Sequence, residues 1–133
     1  KDNGAYLNGN KISVSTTEKL SDSLMATGFP YYDFDYLENY LEVFKHLMTH
    51  TRGIRRLGSA AIDLCFTACG RFDAFFEYSL SPWDVAAGAL ILQEAGGVVT
   101  DFNGDDNWLH GRQIIGSNAH ISAAMLKVIK GKF

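Results

Sequence analysis

The stretch Trp83-Asp84-Val85-Ala86-Ala87-Gly88-Ala89, running on through Glu94-Ala95-Gly96-Gly97 to Val98-Val99-Thr100-Asp101, decides how the chain is read. Ser81 and Pro82 stand just ahead of it. Ser81 suits an N-cap, and Pro82 suits the first helical position, where a missing N–H costs nothing. Asp84 then falls third in the helix. A carboxylate there can bond back to the cap and favours the positive end of the helix dipole. The small and apolar residues that follow predict a helix over Pro82–Ala95, closed by Gly96-Gly97. Val98 to Phe102 reads as a strand, with a turn at Asn103-Gly104. Asp84 therefore has two readings: a helix cap, or an acid presented at the head of a rigid element.

Working outward, Ala5 to Ser15 predicts a hairpin around Asn8-Gly9. Ser15 and Glu18 have the spacing of a capped helical turn. Ser23 to Thr27 reads as a strand, and Tyr31 to Asp35 as an aromatic, acidic loop. Leu37, Leu41, Phe44 and Met48 recur at spacings of three or four, which predicts a helix over Phe34–Thr51 with Gly53 just past its end. Ile54 to Leu57 is a short strand, and a helix from about Ser59 to Ala68 stops at Gly70. Phe72 to Tyr78 and Gln113 to Gly116 are strands, and Ala119 to Ile129 is a closing helix. Strands alternating with helices predict an α/β fold, a sheet flanked by helices.

The chain has 133 residues, 47% hydrophobic and 20% charged, with nine Phe, six Tyr and two Trp. That is one ordinary globular domain, 1–133, with ample bulky core material. The net charge is −3, and no basic run exceeds a pair. Neither nucleic acid nor an anionic membrane is an expected partner. No apolar run approaches the ~20 residues of a membrane span. Cys65 and Cys69 lie four apart on a helix with apolar neighbours and read as buried thiols, which fits a cytoplasmic location.

Several residues can carry chemistry. Glu77 ends a strand six residues before Trp83; it is either a solvated acid or an acceptor for a ligand hydroxyl. Gly58-Ser59-Ala60 sits where a strand turns into a helix. Small residues there expose backbone N–H groups that suit a hydroxyl or an anion, and Ser59 can also cap the helix. Asp63, one turn on, reads as a buried, paired structural acid, with a position facing the cleft as the alternative. Arg55 and Arg56 read as members of a surface ion pair, with a bidentate phosphate clamp by one of them as the alternative. His46 and His50 read as a solvated helix face, and Asp101, Asp105 and Asp106 as a loop. No nucleophile elbow and no Walker loop occurs.

The order and spacing of these segments resemble the inositol monophosphatase family of the Mg-dependent, lithium-sensitive sugar phosphatases. Gly4-Ala5-Tyr6-Leu7-Asn8-Gly9, Gly58-Ser59-Ala60-Ala61-Ile62-Asp63-Leu64, Ala68-Cys69-Gly70-Arg71-Phe72-Asp73, Phe75-Phe76-Glu77, Trp83-Asp84 and Ile114-Ile115-Gly116-Ser117-Asn118 carry the likeness. The resemblance implies the C-terminal half of that fold, with the metal-binding N-terminal half and its Asp-Pro-x-Asp-Gly-Thr motif absent. It implies that Asp84 ligates Mg²⁺ jointly with residues of that other half. It implies that Glu77 and the backbone of Gly58, Ser59 and Ala60 contact the inositol hydroxyls. The implied activity is hydrolysis of inositol monophosphate by metal-activated water, in a homodimer. Fructose bisphosphate, histidinol phosphate and adenosine bisphosphate are the alternative substrates within the superfamily. A non-catalytic folding or assembly role is the alternative outside it. The chain by itself is expected to be inactive and to carry an exposed apolar docking face.

Overall fold

The computed structural model describes residues 1–133. The hairpin of β1 (Ala5–Leu7) and β2 (Asn10–Ile12) turns at Asn8 and Gly9, both left-handed with φ of 51° and 81°. That is the two-residue turn an Asn-Gly pair favours. The chain then builds β3 (Leu24–Thr27), α1 (Leu37–His50), β4 (Gly53–Arg55), α2 (Ala60–Ala68), β5 (Ala74–Tyr78), α3 (Pro82–Glu94), β6 (Val98–Thr100), β7 (Gln113–Ser117) and α4 (Ser122–Ile129).

β3 to β7 form one five-stranded sheet in the order β4-β3-β5-β7-β6. β4 and β5 both run parallel to β3, whereas β7 runs antiparallel to β5 and β6. Side chains alternate between the two faces of a strand. Phe75 and Ala26 therefore join the core under α2 and α3, with Leu64, Val85, Ala89 and Leu92. Phe76 and Met25 join the core under α1 and α4, with Tyr40, Leu47, Met125 and Ile129. The result is the three-layer α/β arrangement that the alternating pattern predicts.

Three local expectations fail. Gly53 does not end α1 as a left-handed C′ residue. Its φ is 145°, and it opens β4 by pairing with Leu24. Ser15 and Glu18 do not cap a helical turn. The short 3-10 turn lies later, at Leu20–Asp22, and the Ser15 hydroxyl donates instead to Asp73 Oδ1 at 2.5 Å. Cys65 and Cys69 are half-buried rather than buried. The Asp73 contact belongs to a larger clasp. Asp73 Oδ2 accepts from the Leu24 amide at 2.7 Å, and the Asn118 amide group donates to Ser15 Oγ and to the Thr17 carbonyl, both at 2.9 Å. Asn118 Oδ1 also accepts the Ile121 amide at the start of α4. No helix is long and apolar enough to cross a membrane.

Candidate active site

β3, β4 and β5 run in the same direction, so their carboxyl ends meet at one rim of the sheet. Ligands of open α/β sheets bind at such a rim. There, residues 28–32 follow β3, Arg56 and Gly58 follow β4, and Glu77 is the last residue but one of β5. The N-termini of α2 and α3 point at the same place, with Ser59 and Ala60 on one and Ser81, Trp83 and Asp84 on the other. Together they line a cleft of about 440 Å³. All five residues that the resemblance assigns to metal or inositol, Gly58, Ser59, Ala60, Glu77 and Asp84, line it.

The local chemistry of each follows from its element. Gly58 takes a φ of 91°, which turns the chain from strand into helix. The Ser59 hydroxyl caps α2 by accepting from the Ile62 amide at 3.3 Å. The other amides of that first turn have no intrahelical acceptor. Asp84 Oδ2 accepts from the Ser81 amide at 2.8 Å, so the helix-cap reading is correct for one of its oxygens. Oδ1 is left over for the cleft.

Glu77 lies on the α2/α3 side of the sheet and is only 8% exposed. Burial pushes its carboxyl group up to about 8, and the negative charges of Asp63 and Asp84 push the same way, with Arg56 opposing. At neutral pH it therefore carries a proton and can donate as well as accept. Asp63 is fully buried, as expected, but it is not paired: both its oxygens lack a hydrogen-bond partner. Burial raises it to about 6 against the pull of Arg56.

The ion-pair reading of Arg55 and Arg56 fails. Neither forms an ion pair, the protein's one such pair being Lys132–Glu42. The Arg56 guanidinium lies 5.1 Å from the Phe29 ring centroid and 5.6 Å from that of Tyr31, and it donates to the Tyr31 hydroxyl. Cation and aromatic loop thus form one wall. Ser79 and Arg112 were not singled out at all. They face each other just beyond the Tyr78–Gln113 pair, with φ of 66° and 62°, and the Arg112 guanidinium donates to Ser79 Oγ at 3.1 Å. A left-handed Ser or Arg leaves no mark in composition or periodicity, so no sequence signal marked them.

Asp84 offers the hard oxygen that Mg²⁺ takes. No group of three or more His, Cys, Asp or Glu side chains is placed to hold an ion. The donor set fits a share of a magnesium site, not a closed one.

The sequence model of the inositol monophosphatase family matches residues 1–131. The chain belongs to that family. The Nus factor SuhB of Pseudomonas aeruginosa is 47% identical over 129 residues, which are 96% of this chain and 48% of that protein. Among solved structures, the extragenic suppressor protein SuhB of Bartonella henselae superposes with a TM-score of 0.93 at 38% identity, over 100% of this chain and 51% of that one. The inositol monophosphatase of Anabaena superposes with a TM-score of 0.87 at 43% identity, over 96% of this chain and 50% of that one. This member of the inositol monophosphatase family spans about half the length of the relatives it matches.

Proposed function

We propose that the chain contributes the polyol-binding side, and one metal ligand, of a Mg²⁺-dependent phosphomonoesterase that hydrolyses inositol monophosphate. One observation carries this reading: Asp84, Glu77 and Gly58 to Ala60 line a single cleft at the carboxyl ends of the parallel strands. Asp84 Oδ1 would take the metal while Oδ2 keeps the side chain fixed to the Ser81 amide. The remaining ligands would come from residues beyond these 133, for which the greater length of the relatives leaves room. When bound, Mg²⁺ supplies activation of water and neutralisation of phosphate charge. Glu77, protonated, donates to one ring hydroxyl and accepts from another. The free amides at the head of α2 hold a third oxygen. Arg56 offers a charge that favours an anionic ester at the mouth. The test is phosphate release from inositol monophosphate with and without Mg²⁺, by a polypeptide of the relatives' length that carries this chain. Mg²⁺-dependent turnover supports the reading. Preference for a fructose, histidinol or nucleotide phosphate moves it to a sibling substrate.

A second reading is non-catalytic. A relative at 47% identity is named a Nus factor, which favours an assembly role in which this domain docks to other proteins. An apolar groove of about 330 Å³ beside the cleft, lined by Phe29, Pro30, Phe34, Leu37, Leu41 and Phe44 among others, is a surface of the right chemistry. Full biological function in a variant that lacks all phosphatase activity would select this reading over the first.

A further inference from the structure

Gly28 follows β3 directly. The Thr27–Phe76 register makes it the neighbour of Glu77 across the parallel pair. Both positions project to the α2/α3 side, because Ala26 and Phe75, two residues earlier on each strand, lie in that core. A methyl carbon built on Gly28 would overlap the carboxyl carbon and both carboxyl oxygens of Glu77, far inside van der Waals contact. Backbone freedom does not explain this glycine, since its φ lies outside the left-handed region. No ion pair fixes Glu77, and no hydrogen bond contributes to its shifted acidity. Packing holds the carboxyl group where it is.

We infer that Gly28 is a positioning residue for Glu77: the space of the missing side chain is the seat of the carboxyl group, and filling it turns Glu77 out of the cleft floor. The seat itself stands on geometry alone; its relevance to a polyol rests on the functional reading above. Any side chain at position 28 forces the acid toward solvent, where its hydroxyl-facing oxygens change place and its proton is lost at lower pH.

The experiment follows the Glu77 carboxyl carbon by NMR through a pH titration of the 133-residue chain. The wild type, Gly28→Ala and the double variant Gly28→Ala/Glu77→Asp are compared. Wild type titrates well above the ordinary glutamate range. In Gly28→Ala the midpoint falls by about two pH units as the acid regains water. In the double variant the shorter acid fits above the new methyl and titrates high again. A wild-type midpoint in the ordinary range, or an unchanged midpoint in Gly28→Ala, overturns the inference. Where Gly28→Ala does not fold, Gly28→Ala/Glu77→Gly decides: restored folding supports a clash with Glu77 alone, and continued failure overturns it. Adding inositol separates the two claims. An unperturbed Glu77 signal in the wild type sinks the polyol reading and leaves the seat to be judged by the midpoints. A tenfold or greater loss of inositol binding in Gly28→Ala, recovered in part by the shorter acid, supports both.

Discussion

Asp84 gives one oxygen to the Ser81 amide and keeps the other for the cleft, so its two roles separate by substitution. Asn retains a carbonyl that can accept the amide, and Ala retains nothing. Asp84→Asn should leave thermal unfolding nearly unchanged, whereas Asp84→Ala should lose about 1 kcal/mol of stability through the broken cap. Both should lower Mg²⁺-dependent turnover in the longer polypeptide by ~100-fold or more, as removal of a metal ligand does. Calorimetry read beside a phosphate-release assay checks the pair, and normal turnover in either variant removes Asp84 from the metal. Glu77 makes a prediction about pH. Its carboxyl is held at about 8 in the fold against an ordinary 4.5, so the folded state binds the proton more tightly than the unfolded one. The stability linked to this group is fully present below the unfolded value, and it is lost as pH climbs from there through the folded value. Unfolding midpoints should therefore fall between roughly pH 4.5 and 8, and Glu77→Gln should flatten that part of the profile. A slope unaltered in the Gln variant would assign it to other groups.

Helices α2 and α3 cross where Gly88 meets α2. A Cβ at Gly88 would lie 2.7 Å from Leu64 Cβ, 3.0 Å from Leu64 Cδ1 and 3.3 Å from the Ala61 carbonyl. Backbone and Cβ atoms cannot swing aside as a side-chain tip can, so Gly88→Ala should cost about 1–3 kcal/mol. Ser59→Ala, which only uncaps α2, should cost about 1 kcal/mol. Chemical denaturation ranks the two, and an inverted ranking would deny the close crossing. Helix caps and tight turns are also the features that the sequence conveys. Asn8-Gly9, Ser59, Ser81-Pro82 and the runs after them announce themselves, because turn chemistry and caps are local. Gly53 misleads because its role depends on a partner strand that begins at Leu24. A glycine after a helical run looks the same whether it stops the helix or starts a strand. Arg56 misleads for a related reason: its partners, Phe29 and Tyr31, are about 25 residues away and meet it only once β3 and β4 are paired. The left-handed pair Ser79 and Arg112 arises the same way, from two strand ends brought face to face.

At the scale of the molecule, the outer side of α2 and α3 is unusually apolar for a surface. Trp83 is 83% exposed, Ile62 47% and Leu90 39%, with Ala86 and Ala87 between them. Such a face favours association with another surface. The 14.7 kDa chain should therefore self-associate as its concentration rises, and Leu90→Lys should reduce this without altering the circular dichroism. Light scattering across a dilution series checks it, and a monomer at every concentration would leave the face without consequence. The chain alone should show no phosphatase turnover with Mg²⁺, because it assembles no closed set of metal ligands; robust turnover would overturn that account. The clasp among Ser15, Asp73 and Asn118 closes across 103 residues. Its Asn118 also accepts the amide of Ile121, just ahead of α4. All five strands of the sheet precede Asn118 in the chain, so the clasp closes a long loop, a kind of contact that slows folding. The two extremities of the polypeptide are thereby latched to one another. Trimming α4 back past residue 118 should loosen the hairpin connection at residues 13–17 as well, and protease sensitivity there would report damage done at the far terminus.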